Sequence, residues 1–502
     1  MTVLALLTKL KNRRVEIRKE GNELKLKAEK GNITPELLSE IKAYKPQLLE
    51  LFQSAEAGNR AIPAAPSAES YPLTYQQKGI WLLCQNEQAA NAYNIPFTIV
   101  VGKNIPLDVL NQAIGDVLAR HEVFRTSFFQ HGDGTLRQQV REVDFRMEEI
   151  DASGLGDEQV ERIRFEESMT PFNLAEAPLL RATLLRRNGH DSMLLITVHH
   201  IVFDGLSAEI LRHELLVACE ARRKGAAPAL TTLPNAYKDY AVWQYNLLAG
   251  PGLEKEKTYW QHQLAGELPV LQLVPDNRPA LKSSAGKHLD LVLPAGLRER
   301  LEQFSVGQRV SPFAVLLAGL NALFHRYTAS PEVLIGAVAS GRDHHSLQSL
   351  IGMFINTLPI RTPIAPDQPF VELVRLQQQV WDDALAHQQL PFGYLVELLN
   401  KRRDVSRSAI FDVVAIYNDE RNGKAGSHPA GDDLKFIRQD LRETSQYDVT
   451  FSFVHADDRL ALQVEYNSDL YSRSFVEGLL GHYQQLLAAA VAQPEVALGR
   501  LD

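Results

Sequence analysis

The sequence predicts a mixed α/β protein built as two halves behind a small N-terminal head. Three observations carry this. Strand-like and helix-like segments alternate through most of the chain. A stretch rich in Ala, Ser, Gly and Pro sets the first 53 residues apart. The charge changes sign across that stretch: residues 1–50 carry 11 Lys+Arg against 7 Glu, a net of +4, and with the whole chain at −8, residues 51–502 hold −12.

The 502 residues suffice for about three units at roughly 150 residues each, and 45% apolar with 23% charged residues is ordinary globular composition. The acidic body argues against nucleic acid as a partner. Two cysteines and no C-x-x-C pair exclude a disulfide framework and point to a reducing cytoplasm. No uncharged apolar run reaches the ~18 residues of a membrane span, so no membrane association is expected. Met1 to Leu7 is apolar but lacks the flanks of a signal peptide.

In the head (1–53), Val3, Leu4, Leu6, Leu7 and Leu10 suit a short helix. Val15 and Ile17, then Leu24, Leu26 and Ala28, alternate with charges on either side of Glu20-Gly21-Asn22, which reads as a hairpin. Thr34-Pro35 starts a further helix with a cap and a proline. Residues 54–71 read as a linker. Beyond it, Leu107–His121 is an amphipathic helix, Leu179–Arg186 and Met193–His200 are strands, and Leu206–Arg222 is a helix. The second strand is apolar enough to be buried on both faces. A second series begins after Pro279: a helix from Ser311-Pro312 to about Tyr327, a strand Val333–Ala337, and helices Phe370–Ala386 and Ser474–Ala492. The halves are 72–270 and 271–502.

The sharpest chemical feature is Val198-His199-His200-Ile201-Val202-Phe203-Asp204-Gly205-Leu206-Ser207. Neighbouring strand residues point to opposite faces, so one histidine faces a cleft and the other faces structure. Asp204 either orients a histidine or pairs with a distant arginine, and Gly205 permits positive φ or close backbone approach. The bland alternative is a buried, hydrogen-bonded pair in a core. A zinc site lacks further ligands at suitable spacing. The pair His344-His345 lacks the downstream Asp-Gly and reads as surface. Cys84 and Cys219 have no local histidine and make poor nucleophiles.

This segment resembles the HHxxxDG core of nonribosomal peptide synthetase condensation domains, and further motifs follow in family order. Arg120–Phe128 resembles RHExLRTxF, Tyr237–Trp243 resembles YxDYAVW, and Ile351–Arg361 resembles IGxFVNTxxxR. His387–Phe392 is similar to HQDxPF, and Arg403–Arg407 to RDxSR. Departures exist: Thr74–Leu83 lies where the family's first motif reads roughly SxAQxRLWFL, but Gly79 stands where that motif has arginine, and Gln389 and Gly393 replace common acidic residues. The head is similar to tubulysin-type N-terminal docking domains, in which a hairpin grips the tail of the preceding synthetase. Arg13, Arg14, Arg18, Lys19, Lys25 and Lys27 would supply its charge.

The resemblance implies two chloramphenicol-acetyltransferase-like lobes in a V-shaped pseudo-dimer with a tunnel between them. It implies amide formation between a carrier-bound acyl or peptidyl thioester and a carrier-bound aminoacyl acceptor. No resident metal or cofactor is expected, because substrates arrive on carrier 4'-phosphopantetheine arms. His200 is the expected acid–base or positioning group. His199 and Asp204 are expected to be structural, with Asp204 paired to Arg120 or Arg125. Gly205 gives its backbone N–H room, Asn356 lines the tunnel, and Ser207 and Trp243 support the site. Partners would be an upstream donor carrier reached through the head and a downstream acceptor carrier. An adenylation domain often follows such a domain, which makes Asp502 look like the end of an excised piece. The alternative function is a starter-type domain acylating the first amino acid from acyl-CoA or an acyl carrier. A free-standing acyltransferase and an inert scaffold fit less well, the first because of the head and the second because His200, Asp204 and Gly205 are intact. An epimerization domain shares the histidine pair but carries no such head.

Overall fold

A computed structural model of the chain describes residues 15–20, 23–27, 34, 37–38, 41–42, 44–45, 62–85, 90–102, 105–187, 191–273, 278–399, 404–421, 434–437 and 444–501. It divides into two compact units, residues 1–63 with 342–348, and residues 64–341 with 349–502. Among the described residues no helix is long and apolar enough to cross a membrane.

In the first unit, β1 (Glu16–Glu20) and β2 (Glu23–Lys27) pair antiparallel, as the alternating pattern predicts. The register places Ile17 opposite Leu26 and Lys19 opposite Leu24 on one face. The other face carries the rungs Glu16–Lys27, Arg18–Lys25 and Glu20–Glu23. Thr34 accepts a hydrogen bond from the Leu37 N–H at 3.3 Å, and Val15, Leu37 and Ile41 are buried. The predicted first helix, the Gly21-Asn22 turn, Arg13 and Arg14 lie outside the described residues. His344, read from sequence as surface, is buried, and its Nδ1 accepts the Ser346 N–H at 3.1 Å, capping its own turn; His345 is exposed.

In the second unit the first lobe comprises β3 (Tyr71–Pro72), α1 (Tyr75–Leu83), β4 (Asn94–Val101), α2 (Leu107–Arg120), β5 (Thr126–Gln130), β6 (Leu136–Val140), β7 (Glu148–Asp151), α3 (Asp157–Met169), β8 (Leu180–Arg186), β9 (Ser192–His199), α4 (Gly205–Arg223), α5 (Tyr237–Ala249) and α6 (Glu254–Gln263). The second comprises β10 (Gly286–Val292), α7 (Ala295–Gln308), α8 (Pro312–Thr328), β11 (Glu332–Ala339), β12 (Asn356–Pro363), α9 (Phe370–Ala386), α10 (Phe392–Leu399), β13 (Val413–Asp419), β14 (Leu434–Ile437), β15 (Val449–His455), β16 (Leu460–Asn467) and α11 (Arg473–Ala492).

The first lobe's main sheet runs β14-β4-β9-β8-β7. β9 lies at its centre and is buried from Leu194 to His199, which is why its sequence is almost wholly apolar. Helices α2 and α4 pack together through stripes at helical spacing, Leu110, Ile114 and Val117 on one and Leu211, Leu215 and Ala218 on the other. The second lobe's sheet runs β10-β16-β15-β13-β11-β12. Its core surrounds α8, which Ser311 caps through the Ala314 N–H at 3.2 Å and which is buried at every position from Phe313 to Phe324.

The two lobes share a plan. In each, an antiparallel hairpin (β8–β9 or β15–β16) leads through a short turn into a long helix, α4 or α11. The last strand residue is His199 in the first lobe and Asn467 in the second, so only the first lobe offers a titratable ring there. The lobes also exchange elements. β14 pairs with β4, and Trp260 on α6 is buried in the second lobe's core with its Nε1–H on the His387 carbonyl at 3.0 Å. Within the stretch read as linker, the Ala65 N–H donates to Asp239 at 2.8 Å, and Arg137 donates to the Ser70 carbonyl at 2.6 Å.

Candidate active site

The central strand β9 ends between the two histidines. His199 is its last residue, and His200 opens a single 3₁₀ turn, His200–Val202, which leads through Phe203 to Asp204 at the N-cap of α4. The rings diverge because the backbone turns there, in addition to the pleat.

His199 is 1% exposed. Its Nδ1 accepts the Ile201 N–H at 3.1 Å, so the neutral ring carries its proton on Nε2, which faces Cys84 Sγ at 3.6 Å. Phe172 packs edge-on against the ring, with centroids 5.8 Å apart. Burial, with the nearby His200 and Arg181 charges, pushes the His199 pKa down to about 3. His199 is therefore neutral at ordinary pH and serves as a fixed acceptor. Cys84 is no nucleophile, since burial pushes its thiol up to about 12.

His200 is half-buried. Its Nδ1 lies 2.6 Å from the Phe203 carbonyl oxygen, which can only accept, so the ring proton is on Nδ1 and the basic lone pair on Nε2. Phe203 is fully buried, wedged against Phe97 and Phe124 at centroid distances of 5.6 and 6.1 Å, which fixes that carbonyl.

Asp204 is 1% exposed. It accepts the Ser207 N–H at 2.8 Å, the Ser207 hydroxyl at 2.7 Å and, from the other lobe, the Phe354 N–H at 3.1 Å. It is a helix cap and an inter-lobe tie. Neither arginine expected to pair with it does so. Arg120 is held by Glu214 at 2.9 Å and the Thr231 carbonyl at 2.6 Å, because the end of α2 faces α4 at Glu214. Arg125 caps the C-terminus of α2 through the Leu118 and Ala119 carbonyls at 2.9 and 3.2 Å. Burial alone would raise the Glu214 carboxyl. His121 at 2.8 Å and Arg120 outweigh it and hold the group below the usual range.

Gly205 adopts neither a positive φ nor a close approach. A Cβ there would meet nothing within 4 Å, so the glycine leaves open ground at the exposed start of α4. Ser207 accepts the Gly352 N–H at 3.0 Å while donating to Asp204. Gly352 is obligatory: a Cβ would lie 2.1 Å from the Tyr237 ring, whose hydroxyl donates to the Met353 carbonyl at 2.5 Å. Asn356, expected in the tunnel wall, is a buried clamp. It donates to the Gln388 and Leu390 carbonyls at 2.9 Å each and accepts the Phe392 N–H at 2.8 Å, fixing the start of α10. Trp243 is half-buried and stacks on Tyr240 at 5.9 Å. A cavity of about 320 Å³ opens between the end of α2 and Leu350–Ile351, walled by His121 and Tyr237 and not by His200.

The structure thus brings His199, His200, Asp204, Gly205 and Ser207 together with Gly352–Phe354. Arg120 is spent on Glu214, Arg125 on the end of α2, Trp243 on Tyr240 and Asn356 on the start of α10. Sequence reasoning assigned no role to the Phe203 carbonyl or to Gln77. The first is a backbone atom with no residue-type signal. The second stands at the capping-box spacing Thr74-x-x-Gln77, which names Thr74 as a partner, but nothing near it in sequence names Ile201.

A family model for the condensation domain matches residues 67–502, and one for the TubC N-terminal docking domain matches residues 3–54. The chain is 34% identical over 438 residues to surfactin synthase subunit 1 of Bacillus subtilis (strain 168), covering 86% of this chain and 12% of that protein. It is 31% identical over 434 residues to bacitracin synthase 1 of Bacillus licheniformis, covering 86% and 8%. The chain therefore spans about a tenth of the length of these relatives. Among solved structures, it superposes on the X-domain from teicoplanin biosynthesis, in complex with OxyB, with a TM-score of 0.78 at 25% identity, covering 88% and 98%. The first condensation domain of the CDA synthetase gives 0.73 at 20% identity, covering 87% and 99%. With the two-lobed α/β fold, the histidine-bearing turn and a family match across nearly the whole body in agreement, this chain belongs to the condensation domains of nonribosomal peptide synthetases and carries a TubC-type docking domain at its N-terminus.

Proposed function

We propose that this chain joins a carrier-bound acyl or peptidyl thioester to the amine of a carrier-bound amino acid. The observation that carries the reading is the 2.6 Å bond from His200 Nδ1–H to the Phe203 carbonyl, which aims a basic Nε2 from a partly exposed position between buried neighbours. The amine nitrogen attacks the thioester carbonyl carbon and the C–N bond forms. Nε2 takes the proton the nitrogen loses. The C–S bond breaks, and the proton passes to the departing sulfur, so imidazole is regenerated and a carrier thiol is released. A thioester is already activated, so the work is to hold two reactants in line, where well-oriented placement is worth several kcal/mol. His199 and Asp204 fix the turn and take no proton themselves.

The head would receive the tail of an upstream synthetase, with the Arg18–Lys25 rung and the hairpin edge as its contacts, and an acceptor carrier would come from downstream. The test is intact-mass analysis of loaded donor and acceptor carriers incubated with the full chain. His200→Ala should abolish product while the thermal melt stays within about 2 °C, because a half-buried ring adds little to the core. Product at near wild-type rate would refute the assignment.

A further inference from the structure

Helix α1 opens with a reciprocal cap: Thr74 Oγ1 accepts the Gln77 N–H, and Gln77 Oε1 accepts the Thr74 N–H, each at 3.2 Å. A glutamate would close that cap equally well. What an ionised glutamate lacks is a donor. Gln77 Nε2 donates to the carbonyl of Ile201, at 3.2 Å, in the turn that carries His200. The amide's orientation is fixed from the other side, since Gln138 Nε2 donates both to Gln77 Oε1 at 3.3 Å and to the Pro72 carbonyl at 2.7 Å. Gln77 is fully buried. Ile201 follows His200 directly, its N–H held by His199 and its carbonyl by Gln77.

We propose that Gln77 is a positioning residue for the condensation reaction: its side-chain amide, oriented by Gln138, fixes the peptide after His200 and thereby the place of Nε2. This rests on the reading of His200 given above. It explains why the third residue of this capping box is an amide, when the cap alone is indifferent between glutamine and glutamate. A misplacement of about 1 Å at a reacting group is enough to cost up to about 100-fold in rate.

The experiment uses the full chain and loaded carriers. Gln77→Glu keeps the cap and the volume but turns a carboxylate oxygen toward the Ile201 carbonyl. The expected result is a kcat lower by about 10- to 100-fold with KM for the acceptor carrier changed less than about 2-fold. Thr74→Ala removes the cap oxygen but leaves the amide on Ile201, so it should lower the melting temperature while kcat stays within about 2-fold of wild type. Should Gln77→Glu fail to fold, Gln77→Met, which buries no charge, is read in the same way. An unchanged kcat in a folded Gln77 variant, an equal kcat loss in Thr74→Ala, or loss of fold in both Gln77 variants would overturn the proposal. His200→Ala run alongside separates the two ideas. If it is dead while Gln77→Glu is fully active, only the positioning role fails. If it is active, the catalytic reading fails first.

Discussion

Asp204 offers the most decisive perturbation, because its carboxylate ties the start of α4, the turn before it and the second lobe together. In Asp204→Asn the size is kept, but only one of the two terminal atoms can accept. If the amide oxygen keeps the Ser207 N–H and hydroxyl, the amide nitrogen faces the Phe354 N–H, donor against donor. Leaving that buried N–H unsatisfied costs about 1–3 kcal/mol. Losing the charge from the remaining bonds and from the helix N-terminus adds roughly another 1 kcal/mol. A total near ~3 kcal/mol, against an unfolding entropy of about 2.1 cal/mol/K per residue over a lobe of roughly 200 residues, lowers Tm by about 7 °C. The assay is a circular-dichroism melt beside the carrier condensation assay, run well below the new midpoint. Activity should fall as well, because the Gly352–Phe354 loop is no longer held against the His200 turn. An inactive variant whose Tm matches wild type within about 1 °C would refute the structural role and place Asp204 in the chemistry.

Other outcomes follow from the same geometry. With His199 at about 3 when folded and near 6.5 when unfolded, its contribution to stability is full above about 6.5 and is lost as pH falls toward 3, because the unfolded chain binds a proton that the folded chain refuses. His199→Asn keeps an acceptor for the Ile201 N–H and should flatten that acid slope; urea titrations at pH 4.5 and 7 showing equal pH sensitivity in both proteins would count against it. Gly352→Ala should cost about 1–3 kcal/mol by driving a methyl into Tyr237, whereas Gly79→Ala, with nothing within 4 Å, should stabilise α1 by up to about 1 kcal/mol; paired melts check both signs. Reversing Arg18 and Lys25 to Glu should slow condensation from the natural upstream carrier at low concentration and remove most of its salt dependence, but leave the rate at saturating free donor carrier unchanged; a mutant with wild-type rate and salt response at low concentration would end the docking reading.

Much of this site was legible because its chemistry is written locally. The apolar run of β9 announced a central strand, the two histidines marked its end, and Asp-Gly marked a helix start, all within the ten residues from Val198. Helix limits were equally local: Phe370–Ala386 came out to the residue, and Leu107–His121 to within one. What the sequence left open was pairing over distance. Arg120 and Arg125 were offered to Asp204 by proximity of motifs, yet one meets Glu214, 94 positions away, and the other serves its own helix. Asn356 carried a motif without a direction, and only the turn at 388–392 shows that all its polar atoms are spent on backbone. The short strand β14, which carries second-lobe chain into the first lobe's sheet, has no local signature that names β4 as its neighbour.

The departures from the family pattern make the same point from the other side. Gly79 and Gly393 lack the charged groups usual at their positions, which by itself suggests that something between α1 and α10 has been lost. The structure shows those helices in contact, with Tyr75 beside Gly393 and its ring 5.4 Å from that of Tyr394. Opposite charges cross the same junction from neighbouring positions. Lys78, one residue before Gly79, pairs at 3.1 Å with Glu397, one helical turn after Gly393, and the Tyr75 hydroxyl donates to that carboxylate at 3.3 Å. An exposed pair of this kind is worth at most about 1 kcal/mol, so it does not clamp the lobes together. It lies across the contact of α1 and α10, and α1 is the helix whose Gln77 reaches the His200 turn. A substitution at the rim of the lobe junction is therefore only a short chain of neighbours from the His200 ring: Lys78 beside Gln77, Gln77 on Ile201, and Ile201 next to His200.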